Sequence, residues 1–187
     1  MRYYCLVLIT LMLGSCQSPK HSDYLYHVDN YANALLEYGR DFYGEESSPL
    51  IATTLIRSTM SFPEGDSLEA LLSLKRESWG IRSHDRMLTG ANPMHDQNLY
   101  QILYALTELT GEQKYAAEAD KTLKWFFENC QSDQTGLMAW GEHIGWDFNT
   151  ETTIDKRQRY NHEFFRPWVF WDKGFQLTPE QCFDFAL

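Results

Sequence analysis

Residues 98–129 read NLYQILYALTELTGEQKYAAEADKTLKWFFEN, and this stretch decides the fold class. Leu99, Ile102, Leu103 and Leu106 recur at three- and four-residue spacing and make one apolar helix face, with Asn92 or Asp96 available to cap its start. Thr110-Gly111 stops that helix. Glu112 and Gln113 then open a second one, in which Tyr115, Ala119, Leu123, Phe126 and Phe127 share a face as far as Asn129. Two helices joined by so short a connection must lie antiparallel, as an αα-hairpin.

Outward from this hairpin the pattern stays helical. Val28, Tyr31, Ala32, Leu35 and Leu36 predict an amphipathic helix from about Asp23, closed by Gly39 or Gly44. Ser47-Ser48-Pro49 breaks the chain, Leu50 to Ile56 reads equally as helix or strand, and Phe62-Pro63-Glu64-Gly65-Asp66 is a turn before a short helix over Ser67–Leu74. At the other end, Thr178-Pro179-Glu180-Gln181 combines a capping residue, a proline at the first helical position and a box partner. A helix cut off at Leu187 is marginal on its own, so the reading is of a domain incomplete at its C-terminus. No segment alternates with period two for long enough to make a strand. The expected class is all-α, built of αα-hairpin repeats.

The N-terminus carries Arg2, an apolar run from Cys5 to Leu13, and then Leu13-Gly14-Ser15-Cys16. That is the layout of a signal peptide over residues 1–15, and the run is too short to span a bilayer. Leu-Gly-Ser-Cys resembles the bacterial lipobox, which implies lipidation of Cys16, a polar tether over residues 16–22 and a membrane-anchored lipoprotein in the periplasm or on the outer-membrane surface. The domain proper then spans residues 23–187. A formal charge of −10 disfavours nucleic acid, although a local basic pocket can still hold an acidic sugar. Cys130 and Cys182 make neither a disulfide framework nor a metal-type spacing, and no cofactor or metal is expected.

Thr110-Gly111-Glu112-Gln113-Lys114-Tyr115 between paired helices, followed by Thr135-Gly136-Leu137 and Trp140-Gly141, resembles the six-hairpin glycosidase superfamily of (α/α)6 toroids. The resemblance centres on Met94–Asn129 and the loop after it. It implies glycoside hydrolase, polysaccharide lyase or sugar epimerase chemistry in a cleft made by inter-hairpin loops. This chain has room for only a partial toroid.

Three loop-like clusters carry function-capable side chains. Trp140-Gly141-Glu142-His143-Ile144-Gly145-Trp146-Asp147-Phe148 sets two acids and a histidine among aromatics, a composition suited to sugar rings. Trp140 and Trp146 are the expected stacking faces, and Glu142 and Asp147 the expected carboxylate pair, with Glu163 as a further acid and His143 as a proton carrier. The block reads equally well as tryptophans plugging a core beneath solvated charges. Arg82, His84, Asp85 and Arg86 make a second cluster able to clamp a uronate carboxylate, and donors of the adjoining Gly90–Asp96 can meet a ligand at a helix start. In the third, His162 and Arg166 share a helical face, so that Arg166 or Arg82 can neutralise a uronate while Tyr160, His143 or His162 acts as base. The expected function is hydrolysis or elimination of a polysaccharide. The rivals are a non-catalytic glycan- or partner-binding lipoprotein, and a sugar epimerase.

Overall fold

The hairpin forms as its apolar spacing requires, and the rest of the chain assembles on it. The computed structural model describes residues 23–73, 87–155, 162–163 and 166–187. Among these the elements are α1 (Asp23–Tyr38), α2 (Gly65–Leu72), β1 (Gly90–Ala91), α3 (Gln97–Thr110), α4 (Lys114–Asn129), β2 (Ile144–Asp147), β3 (Thr152–Asp155), α5 (Trp171–Leu177) and α6 (Pro179–Ala186). The expected leader over residues 1–15, Cys16 and the expected tether lie outside the described residues. No described helix is long and apolar enough to cross a membrane.

Helix α3 buries Leu99, Tyr100, Leu103 and Leu106 against Tyr115, Ala119, Leu123, Phe126 and Phe127 of α4. Gly111 ends α3 at φ 79°, the left-handed conformation that glycine adopts without cost, and its N–H donates to Thr107 O. Thr107 also ties the turn together: its hydroxyl donates to Glu112 O (3.1 Å) and accepts from Ala116 N (2.9 Å). Asp96 occupies the N-cap position of α3, but its side chain makes no capping hydrogen bond.

Helix α1 packs against this pair through Ala32, Leu35 and Leu36, leaving Val28 and Tyr31 facing outward. Tyr115 of α4 donates its hydroxyl to Asp29 of α1. The segment after α1 is neither helix nor regular strand. Leu50, Ile51 and Ala52 run extended and buried, with isolated bridges Arg40 to Ile51 and Ile56 to Ser61. At the C-terminus α5 and α6 pack on α4, where Cys182 of α6 sits against Gly174 of α5; a side chain at 174 would come within 2.8 Å of the sulfur. The Thr178 hydroxyl turns back to Gly174 O (3.2 Å) and does not cap α6.

The architecture corrects the all-α expectation. It is a mixed α/β arrangement with a three-stranded antiparallel sheet in the order β1-β2-β3, and the helices do not form a clear (α/α)6 toroid. The register pairs Gly90 with Asp147, Ala91 with Trp146, and Ile144–Asp147 with Asp155–Thr152. These strands escape a period-two reading because they are two and four residues long, and because β2 is buried or half-buried at all four positions, so it shows no polar and apolar alternation. Close approach is built into the pairing. A Cβ on Gly90 would lie 1.8 Å from the Trp146 carbonyl oxygen.

Candidate active site around His143

The loop between α4 and β2 delivers the site, and its backbone is held at nearly every step. Ala139 N donates to Cys130 O (2.7 Å) and Ser132 N to Leu137 O (2.9 Å), closing the loop on the end of α4. Beyond it, Met138 O accepts from His162 Nδ1 (2.8 Å), Trp140 O from Glu163 N (2.9 Å), Gly141 O from Asn92 Nδ2 (3.0 Å) and Glu142 O from His95 Nε2 (3.2 Å). Partners from the turn before α3 and from residues 162–163 thus fix residues 138–142 from both sides.

His143 stands at the end of this braced run. Its backbone N–H donates to Glu163 Oε2 (2.9 Å), and its ring Nδ1 lies 3.0 Å from Glu163 Oε1 and 3.3 Å from Oε2. An ionised carboxylate can only accept, so Nδ1 is the donor of this pair, and in the singly protonated ring the lone pair sits at Nε2. Glu142 Oε2 lies 3.8 Å from that Nε2. The His143 ring is almost fully buried, whereas the Glu142 side chain keeps a third of its surface exposed. The same logic fixes the other two histidines, because carbonyl oxygens also only accept. Neutral His95 has its lone pair at Nδ1, and neutral His162 has its at Nε2.

The expected carboxylate pair does not come together. Asp147 Oδ1 accepts from Asn149 N (3.1 Å), Thr150 N (3.0 Å) and the Thr150 hydroxyl (3.1 Å), while Oδ2 accepts from Thr89. It fastens the β2–β3 turn. At about 3.3 Å of rise per strand residue it lies roughly 10 Å beyond Ile144, at the far end of β2 from His143.

The tryptophans of the block are also placed differently from expectation. Trp140 is 4 % exposed and stacks on Trp168 with ring centroids 4.9 Å apart, so it plugs the core and presents no open face. Trp146 is half-buried, edge-on to Trp125 at 5.0 Å. Glu163 meets the block at His143 and His162 meets it at the Trp140 ring, Arg166 acts on Asp96, and Arg82, His84, Asp85, Arg86 and Tyr160 lie outside the described residues. Among the described residues no group of three or more His, Cys, Asp or Glu is arranged to hold a metal ion.

Sequence reasoning read the stretch before α3 for ligand donors and for capping and gave His95 and Asp96 no individual site role. Asp96 is partly buried, and its Oδ2 is enclosed without a hydrogen-bond partner among the described residues. Burial pushes its carboxyl up to about 7, against the opposing pull of the Arg166 guanidinium. In the unfolded chain an Asp titrates near 3.9. The native state therefore holds a proton that the unfolded state has released between about pH 4 and 7, so this group's contribution to stability falls as pH rises through that window. At about 1.4 kcal/mol per unit the decline is on the order of 2–4 kcal/mol, and Asp96→Asn should remove most of it. Urea denaturation of both proteins at pH 5 and pH 8 checks this; an undiminished decline in the variant would assign the pH dependence to other groups.

The family model described as periplasmic pectate lyase matches residues 70–185. The match covers more than half of the chain and the whole of the site above, and the chain belongs to that family. It establishes a polysaccharide-lyase relationship and does not single out the six-hairpin glycosidase superfamily.

Proposed function

We propose that this chain is a periplasmic lyase that cleaves a pectate-type, uronic-acid polysaccharide by β-elimination at His143. The observation that carries the reading is the two-point hold of Glu163 on the backbone and ring of His143, which leaves Nε2 as the basic atom. In the elimination Nε2 takes the proton from the carbon bearing the uronate carboxylate, and the C4–O bond breaks as the C4=C5 double bond forms. The departing oxygen receives the proton that Nε2 has taken up, and the partly exposed Glu142 lies 3.8 Å from that nitrogen. Removing a proton next to a carboxylate requires that the growing negative charge be neutralised. Arg166 supplies that charge three residues beyond Glu163, and its guanidinium is close enough to act on Asp96, next in sequence to His95.

Elimination is favoured over hydrolysis by the match to a pectate lyase family, and Asp147, one of the two acids expected for hydrolysis, is committed to a turn. Secretion to the periplasm accords with the leader over residues 1–15 and with the family's description.

The test is to incubate the full chain with polygalacturonate and to follow both reducing ends and the ultraviolet absorbance of the unsaturated product. Equal growth of the two signals is expected, with a loss on the order of 10- to 100-fold in Arg166→Gln, sharper on the free acid than on its methyl ester. New reducing ends without unsaturation, or binding without turnover, would overturn the assignment.

A further inference from the structure

Gly141 lies between the core tryptophan and the proposed base, and its importance is steric. Its backbone is outside the left-handed region, where the positive-φ glycines are Gly44, Gly65, Gly111 and Gly136. Any residue can adopt its conformation. What excludes a side chain is Glu163: a Cβ on residue 141 would stand 2.4 Å from Glu163 Oε2, 2.5 Å from Glu163 Cβ and 3.0 Å from Glu163 Cγ. The oxygen involved is the one that accepts the His143 backbone N–H.

Neither side of this contact can step back freely. The Gly141 carbonyl is held by Asn92, itself almost fully buried, and the flanking Trp140 carbonyl is bonded to the backbone N–H of Glu163. Trp140 is locked against Trp168. A methyl group at 141 must therefore push Glu163 away, its Cβ as well as its carboxylate, and the carboxylate is what sets the His143 proton on Nδ1. Asn92 matters for the same reason, because it pins the carbonyl of the residue over which Glu163 folds.

From this contact we infer that Gly141 is a positioning residue for the elimination: the missing side chain lets Glu163 lie flat on the loop and hold His143 as the Nδ1–H tautomer. The inference rests on the proposed role of His143 and names a residue that touches neither substrate nor base. A carboxylate moved by about 1 Å costs on the order of 10- to 100-fold in kcat when the group it orients takes the proton.

The experiment uses the full chain. Gly141→Ala is expected to lower kcat on polygalacturonate by that factor with KM within about threefold. Histidine-selective 15N spectra should show the His143 ring leaving the Nδ1–H tautomer. Where Gly141→Ala perturbs folding, the substitution is repeated on Glu163→Gly, which removes all three atoms that the new Cβ meets. In that background it should cost nothing further in kcat or in the His143 signal. A Gly141→Ala protein with wild-type kcat and an unmoved His143 tautomer overturns the inference, as does an undiminished effect on Glu163→Gly. The spectra also separate the two ideas: a displaced tautomer in a chain without lyase activity upholds the positioning and rejects the reaction.

Discussion

Trp140→Ala should destabilise the protein by about 3–5 kcal/mol, the largest stability loss expected of any single truncation in the site. The ring is 4 % exposed and meets Phe126, Phe127, Trp168, Trp171 and Phe185 at centroid distances of 4.9–6.3 Å. Truncation forfeits the transfer energy of a large ring and opens a cavity between α4, α5 and α6, whose other walls are rigid aromatics that cannot collapse inward. A domain of this size is stable by only about 5–15 kcal/mol, so the variant loses about a fifth of its margin or more. Trp140→Phe keeps part of the contact and should lose about half as much. Urea unfolding followed by near-ultraviolet circular dichroism measures both. If Trp140→Ala unfolds within about 1 kcal/mol of the parent and instead raises KM for oligouronate, the ring is a sugar platform after all.

That prediction marks the division between what the chain shows in one dimension and what it hides. The α3–α4 hairpin was legible because its apolar residues recur with the helical period over four turns and because Thr110-Gly111 ends the first helix by a known mechanism. Strand β2 was not. Ile144-Gly145-Trp146-Asp147 is too short for a period, and it is a strand because Gly90 and Gly145 let β1 and β2 backbones meet, a condition set by residues more than fifty positions apart. The aromatic and acidic composition of residues 140–148 mixes side chains of different structural roles. Glu142 and His143 line the candidate site, whereas Trp140 is core and Asp147 is a turn anchor. Composition cannot separate these roles, since burial and hydrogen bonding are decided by Trp168, Thr89 and Glu163, all distant in sequence. The Glu163 to His143 pairing spans twenty residues that include β2 and β3, and it has no local signature. The same holds for His95, whose partner is a backbone carbonyl rather than another side chain.

His143→Ala should lower kcat/KM for elimination by about 10²–10⁴-fold, the largest activity loss expected, because it deletes the proton acceptor of the proposed reaction. The more informative partner is Glu163→Gln. Both oxygens of Glu163 face N–H groups, Oε2 the His143 backbone and Oε1 the ring. A glutamine has one acceptor oxygen and one donor nitrogen, so it can satisfy only one of these. If the amide oxygen keeps the backbone N–H, its NH2 faces the ring, and the imidazole must offer a lone pair at Nδ1. The proton then moves to Nε2, where the base is needed. If the oxygen turns to the ring, a backbone donor loses its partner beside a nearly buried ring and the loop shifts. On either branch the chemistry suffers without any change in charge at the base itself, so Glu163→Gln should approach the loss of His143→Ala while KM changes little. Because both substitutions act on one proton acceptor, the double variant should be no worse than His143→Ala alone. Multiplicative losses in the double variant would mean that Glu163 acts on the substrate independently, and a His143→Ala protein within tenfold of the parent would move the base to another residue.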